Sequence, residues 1–385
     1  MIYLDNNATT QMEPEVANHV AELLHARLAN PSSQHAHGRA ARKILEQARD
    51  RVLISCRAQT QGMASDSCLF TSGGTESNNL ALFGLAESRP GAIVVSNIEH
   101  PSILAAAQRL ECIGREVRIL PSLPSGITDI EPLRRWIEVD RAPIALVSVM
   151  SANNETGVMQ PIESVVSLCR THGIYVHSDA VQALGKVPLD FHQLQLDAMT
   201  ITAHKLHGPL GIGALILKHG VSLAPYHFGG FQQLGLRPGT EMPALASGFA
   251  MAAQMAVSDL PARSEHMLQL RRRFESLLHT QFDTAVILGD SVSRLPHTLS
   301  VAFPGVDRQA LQMALDQAGI ACSTGSACAS GSSQPSHVLQ AMHVPTAVLA
   351  GAIRFSLSHE TTESEVDQTV RALTSILPRL TKRPD

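Results

Sequence analysis

The sequence predicts an α/β fold: a mainly parallel sheet covered by helices, followed by a smaller α/β domain. Three observations predict it. Short strand-like runs at residues 92–96, 144–150, 174–177 and 197–201, the second rich in Val, Ile and Leu, are separated by segments of which several read as helices. Each run stops at a polar residue, as strands do where a parallel sheet meets a ligand along its carboxyl edge. At 385 residues the chain is long for one domain, and the strand–helix alternation starts afresh after about residue 262. We therefore expect a large domain over residues 15–260 and a small one built from residues 1–14 and 261–385.

Hydrophobic residues make up 44% and charged residues 17%, enough for a sizeable core, and with only 4% aromatics that core is aliphatic. A net charge of −4 without a long basic run argues against nucleic acid or an anionic membrane as direct partner. No apolar stretch is long enough to span a bilayer. The start, Met1-Ile2-Tyr3-Leu4-Asp5, has no basic, signal-like region, so a cytoplasmic protein is expected. In that compartment the six cysteines are not a disulfide framework, and no Cys-x-x-Cys pair suggests zinc. Cys68, Cys112 and Cys169 lie among apolar residues and read as small buried hydrophobes.

In chain order, residues 2–4 are a short strand, followed by the polar turn Asp5-Asn6-Asn7-Ala8-Thr9-Thr10. That turn is either an ordinary Asn/Asp loop or a carboxamide lining a site. Helices over 14–28 and 39–54 flank a polar loop whose His35 and His37 lack a nearby carboxylate or cysteine, so no metal is expected. Strand 67–71 runs into Ser72-Gly73-Gly74-Thr75-Glu76-Ser77-Asn78-Asn79 and a helix to about residue 87. The glycine pair, the Thr75 hydroxyl and the helix N-terminus make a phosphate cradle, or simply a strand-to-helix turn. His100 ends strand 92–96 just before Pro101 opens a helix. A ring there either stacks on a planar ligand and moves protons, or caps the helix.

Asp179 follows strand 174–177, and a carboxylate in that place needs a cationic or hydrogen-bonded partner. Strand 197–201 leads into Thr202-Ala203-His204-Lys205-Leu206-His207-Gly208-Pro209. Lys205 is either a solvated loop residue or, with its charge disfavoured by partial burial, a neutral amine able to condense with an aldehyde. A lysine and an aspartate are what proteins usually offer pyridoxal phosphate (PLP). A strand over 211–217 follows. Glycine-bearing loops at 228–231 and 236–241 precede long helices over 243–260 and on to about 282. Beyond them come a strand at 297–303, a helix at 308–318 and a strand at 320–322. The run Ser323-Thr324-Gly325-Ser326-Ala327-Cys328-Ala329-Ser330-Gly331 has little to anchor it, so we expect a mobile loop. Cys328 on it is either an idle exposed thiol or a delivered nucleophile. Strand 353–357 carries Arg354, suited to a carboxylate grip or a structural ion pair. A helix over 361–377 closes the fold.

Taken together, these segments resemble the cysteine desulfurases, class V aminotransferase-like PLP enzymes of the aspartate aminotransferase fold (fold type I). The matching stretches run from Tyr3-Leu4-Asp5-Asn6-Asn7-Ala8-Thr9-Thr10 through Asn30-Pro31-Ser32-Ser33, Thr71 to Asn79 and Glu99-His100. They continue with Asn153-Asn154-Glu155, Asp179 with Gln182, His204-Lys205, Arg237-Pro238-Gly239-Thr240, Ser326-Ala327-Cys328 and Arg354-Phe355-Ser356. The Gly-Ser-Ala-Cys context is similar to the long-loop subgroup. Departures include Leu210 where lysine is common, Pro238 beside the threonine, and a second cysteine, Cys322, as a packing residue or a resolving thiol. The sequence ends at Asp385, where housekeeping members often run on into a tail that meets an iron–sulfur scaffold, which weakens the expectation of that partner.

The resemblance implies that Lys205 holds PLP, Asp179 pairs with its ring nitrogen, and His100 stacks on the ring and shuttles protons. It implies that Gly74, Thr75, Thr202 and His204 hold the phosphate and that Asn154 and Gln182 contact the ring and its phenolic oxygen. Thr240 would reach the phosphate of a partner subunit, hence a homodimer. Arg354, with Asn154 and Asn6, would bind the carboxylate of L-cysteine. Lys205 would take the α-proton, and Cys328 would take the sulfur as a persulfide for an acceptor protein, leaving L-alanine. The alternative is another PLP-dependent lyase or aminotransferase of this fold, for example a selenocysteine lyase. A non-catalytic subunit is a third reading, which the presence of Lys205, Asp179 and His100 opposes.

Overall fold

The computed structural model describes residues 1–325 and 335–380, so Cys328 lies outside the described residues. The centre is a seven-stranded sheet in the order β2-β8-β7-β6-β5-β3-β4. Its strands are β2 (Ser67–Thr71), β3 (Ala92–Ser96), β4 (Val117–Leu120), β5 (Ile144–Ser148), β6 (Tyr175–Asp179), β7 (Ala198–Thr202) and β8 (Gly213–Leu217), and β1 (Ile2–Tyr3) lies elsewhere. Only β8 runs against its neighbours β2 and β7; the other pairings are parallel. Strands β3, β5, β6, β7 and β8 are buried along their whole length, which is why they read as continuous apolar runs.

Four helices set the site's frame: α1 (Pro14–His25), α2 (Ala36–Ser55), α3 (Gly74–Glu87) and α4 (Pro101–Cys112). Proline opens α1 and α4, where its missing N–H costs nothing. His35 caps α2, its Nδ1 accepting from the Gly38 N–H at 3.2 Å, so the helix starts at Ala36 and not at 39. Leu45, Ala48 and Val52, at helical spacing, bury one face of α2 in the core. The helix Pro243–Ser258 buries mostly alanines, and a β-carbon on its Gly248 would fall 2.3 Å from Val20 Cγ2, so α1 packs close against it.

A second core joins Leu4 to Phe274, Leu299, Ile353, Phe355 and Leu373. There β9 (Val286–Ile287), β10 (Thr298–Ala302) and β12 (Ala352–Ser356) form an antiparallel sheet in the order β12-β10-β9. Strand β11 (Ile320–Ala321) pairs in parallel with β1. Arg354 and Ser323 exchange backbone hydrogen bonds of 2.6 and 3.1 Å, tying β12 to the segment after β11. Among the described residues, no helix is long and apolar enough to cross a membrane.

One sequence expectation is corrected. Cys112 ends α4 exposed, whereas Cys68 and Cys169 are buried. The apolar neighbours of Cys112 lie along the chain, but the last turn of α4 points that position to solvent.

Candidate active site

A cavity of about 450 Å³ opens at the carboxyl ends of β2, β3, β5, β6 and β7. Five strand ends bring polar groups to it: Thr75 after β2, His100 after β3, Asn154 after β5, Asp179 and Gln182 at and after β6, and Lys205 after β7. Gly74, Thr202 and His204 complete that floor. The opposite wall comes from the chain's two ends, with Asn7, Arg354 and His337.

Asp179 is 6% exposed, and its charge is matched by donors. Asn78 Nδ2 donates to Oδ2 at 2.7 Å and the Val181 N–H to Oδ1 at 3.0 Å. Helix α3 begins at Gly74 with no side-chain cap, which leaves its N-terminal dipole facing the cavity. A β-carbon at Gly74 would approach Val181 Cγ2 to 3.2 Å. In the first turn Glu76 accepts from both the Nε and the Nη2 of Arg237, at 2.7 and 3.1 Å. Burial opposes the Glu76 charge, but the Arg237 guanidinium and the Ser72 N–H outweigh it and hold the carboxyl down at about 2. That pair ties the Arg237-to-Thr240 loop to α3.

Lys205 Nζ donates to the carbonyl of Ala8 at 2.6 Å and also to that of Asn7. Burial and the Lys205 charge push the neighbouring His204 down to about 4, so it is a neutral ring at pH 7. Lys186 Nζ donates to the Lys205 carbonyl at 3.0 Å and is itself pushed down to about 8 by burial and by Arg263. Beneath the sheet floor His177 is fully buried between Ser148 Oγ and Thr200 Oγ1, and burial pushes it down to about 3.

The wall is built differently. Arg354 is 1% exposed. Its Nη1 donates to the carbonyls of Asn154 (2.9 Å) and Gly325 (3.2 Å), and its Nη2 donates to Asp5 Oδ1 (2.7 Å). Its Nε has no partner among the described residues. Glu155 is buried beside it, accepting from Ser336 Oγ at 2.5 Å, and burial raises its carboxyl. Cys322 is buried and pushed up to about 12, chiefly by that burial, which suits a packing residue and not a resolving thiol.

Two anticipated residues stand apart from the cavity lining. Asn6 is buried, but its Nδ2 donates to the Ser356 carbonyl at 2.9 Å, and it is Asn7 that lines the cavity. Thr240 is exposed on its own chain. Sequence reasoning missed Asn7, Asn78, Glu155 and His337. Asn7, Asn78 and Glu155 sat inside the quoted motifs, next to residues that had been given roles. Among the described residues, Glu13, His207 and His359 place ligand-type atoms within 4.8 Å of one another. Arg263 lies 3.4 Å from Glu13, and the Lys186 charge bears on both imidazoles, so a cation is opposed there.

Comparison with known proteins gives the family. Residues 2–369 match the class-V aminotransferases. A cysteine desulfurase of Cereibacter sphaeroides is 42% identical over 98% of this chain and 96% of its own. The cysteine desulfurase NifS of Azotobacter vinelandii is 37% identical over 98% and 93%. The chain belongs to the cysteine desulfurase family. A solved NifS-like protein superposes on this desulfurase with a TM-score of 0.90 at 35% identity, covering 98% of this chain and 100% of that one.

Enzymes of this family depend on PLP, and the donor set fits that group. An uncapped helix N-terminus with the Thr75 and Thr202 hydroxyls suits a phosphate. A buried carboxylate suits a protonated pyridine nitrogen, and an amine beside it suits an aldehyde.

Proposed function

We propose that this desulfurase converts L-cysteine to L-alanine and carries the released sulfur as a persulfide on Cys328 to an acceptor protein. The observation that supports it most is that Asp179 and Lys205, at the ends of the adjoining strands β6 and β7, meet Arg354 of β12 on one cavity. In this reading Lys205, Asp179, Gln182 and His100 hold PLP, with Gly74, Thr75, Thr202 and His204 at its phosphate. PLP, when bound, supplies a sink for the electron pair released at the substrate α-carbon.

The chain's own residues do the rest. Arg354 and Asn154 fix the substrate carboxylate, which orients the α-hydrogen and the sulfur. Lys205 Nζ takes the α-proton, and His100 moves protons at the substrate. The Cys328 thiolate attacks the substrate sulfur, forming an S–S bond as the C–S bond breaks. The electron pair left on carbon picks up a proton, so cysteine and a thiol become alanine and a persulfide with no outside oxidant. The acceptor's identity is a matter for trapping experiments with candidate proteins.

A homodimer belongs to the same proposal. Phe228, Phe231 and Leu234 are 89%, 94% and 82% exposed in one loop, an apolar face that a second copy would cover, with Thr240 at its edge reaching the partner's phosphate. The division into residues 15–260 and residues 1–14 with 261–385 is supported by the second core, which joins Leu4 to residues from 270 onward.

The test is direct. Purified protein with PLP should absorb near roughly 420 nm and form alanine and persulfide from cysteine. Cys328→Ala should keep the band and lose persulfide. A Cys328→Ala protein that still releases sulfide at the wild-type rate would favour the lyase alternative.

A further inference from the structure

A hydrogen-bonded chain links Asp179 to His100 through Asn78, which also lines the cavity, and Ser102, and neither linking residue has been given a role in the chemistry. Asn78, on α3 and 1% exposed, donates from Nδ2 to Asp179 Oδ2 at 2.7 Å and to Ser102 Oγ at 2.9 Å. Ser102, in the first turn of α4 and 7% exposed, places its Oγ 2.7 Å from His100 Nδ1. The Ser102 N–H donates to that same nitrogen at 3.1 Å.

The direction of every hydrogen follows from the acceptors. Asp179 as a carboxylate only accepts, so the Asn78 amide nitrogen must face it. Both amide hydrogens are then used, one on Asp179 and one on Ser102 Oγ. With its oxygen accepting, Ser102 has its hydroxyl hydrogen left for His100 Nδ1. A backbone N–H cannot reverse, so Nδ1 faces two donors and carries no proton. Asn78 Oδ1 is buried without a partner among the described residues, which fits an amide held by the demands at its other end.

We propose that Asn78 and Ser102 are positioning residues that lock His100 in its Nε2-protonated tautomer and tie the ring's placement to the Asp179 carboxylate. The ring then presents a hydrogen, and not a lone pair, at Nε2. The Ser102 hydroxyl, aimed by Asn78, reinforces the backbone N–H in keeping that hydrogen on Nε2. The rate consequence rests on His100 acting as the proton shuttle; the tautomer itself does not.

Other charges bear on the ring and are the same in every variant below. Lys205, Asp179, His204, Glu155, His337 and Arg354 line the same cavity, and Glu99 precedes His100 with Oε1 turned to Ser96 and Met150. Burial pushes Glu99 up to about 8, so it is largely uncharged at pH 7.

The experiment is nitrogen-15 NMR of ring-labelled histidine in the protein as purified, with the His100 signals assigned by their loss in His100→Gln. The expected wild-type result is an unprotonated Nδ1 and a protonated Nε2. In Ser102→Ala the backbone N–H alone stays on Nδ1, so the Nδ1 signal should move as that nitrogen loses its 2.7 Å donor and the Nε2-protonated form should fall part-way, and alanine formation should fall about 5- to 10-fold with KM little changed. Ser102→Thr, which keeps the hydroxyl, should restore both. Asn78→Ala should shift the ring signals in the same sense by freeing the Ser102 hydroxyl to turn, and it carries the test if Ser102→Ala does not fold. A proton on Nδ1 in the wild type, or ring signals that stay in place in the variants, overturns the proposal. The signals are read without turnover, so a protein that makes no alanine would sink the desulfurase reading and leave this one standing.

Discussion

The floor and the wall of the cavity are assembled by opposite strategies. Floor residues sit where strands of one sheet end, and Asp179 is held within that layer by Asn78 and Val181, while Lys205 reaches across to the Asn7 and Ala8 carbonyls. On the wall, Arg354 is held by Asn154 and Asp5, 200 and 349 positions away, as well as by the nearer Gly325. The floor's positions are thus set by one sheet, and the wall's by how the two cores meet. Damage to the floor should act on chemistry, and damage to the wall on substrate capture.

The largest expected effect lies on the floor. Lys205→Ala should lower alanine formation on the order of 10³-fold or more and abolish the visible band with PLP, measured by absorbance and amino-acid analysis. Substantial turnover in that variant would break the contrast outright. On the wall, Arg354→Leu should cost about 2–3 kcal/mol, roughly 30- to 150-fold in kcat/KM, and most of it should appear as KM. Asp5→Asn tests the wall's support. It keeps a hydrogen-bond acceptor for Arg354 but removes the charge, so a KM rise of about 5- to 10-fold is expected.

Acid should separate the regions further. His177, His204 and, behind the floor, His207 are held neutral, with folded values of about 3, 4 and 3 against 6.5. Between those values the unfolded chain binds more protons than the folded one, so stability falls as pH drops below about 6.5. Glu76 has the sign of a depressed carboxyl, at about 2 against 4.5, so its pairing with Arg237 is intact above pH 4.5 and fades only below it. A thermal midpoint that stays flat from pH 7 to pH 4.5 would contradict the first window. The smallest effect is expected outside both regions. Cys112→Ser, at an exposed position, should change stability by less than about 0.5 kcal/mol in denaturant titration.

The same contrast governs what could be read from the sequence. Floor residues announce themselves because an apolar run that ends in a polar residue is a local pattern. Asp179 and His204-Lys205 carry that signature. Wall residues leave no such trace: nothing near Arg354 in the chain names Asp5 or Asn154 as its partner. The edge strand β4 was missed because it is short and half-exposed, with Ile119 turned to solvent and Arg118 lying over the Trp136 ring. The helix Glu131–Glu138 was missed although Leu133 and Ile137, four apart and both buried, mark its inner face. Asn6 and Asn7 could not be told apart by type, and only the turn geometry directs one to the Ser356 carbonyl and the other to the cavity.

The backbone pairing of Ser323 with Arg354 has a consequence for sulfur delivery. Cys328 is tethered five residues beyond that anchored point, so at roughly 3.3–3.6 Å per residue its leash is no longer than about 18 Å. In the proposed function, Arg354, which would grip the amino acid, is also the residue that anchors that leash. On the proposed role of Cys328, whatever collects the sulfur must come within about 18 Å of Ser323.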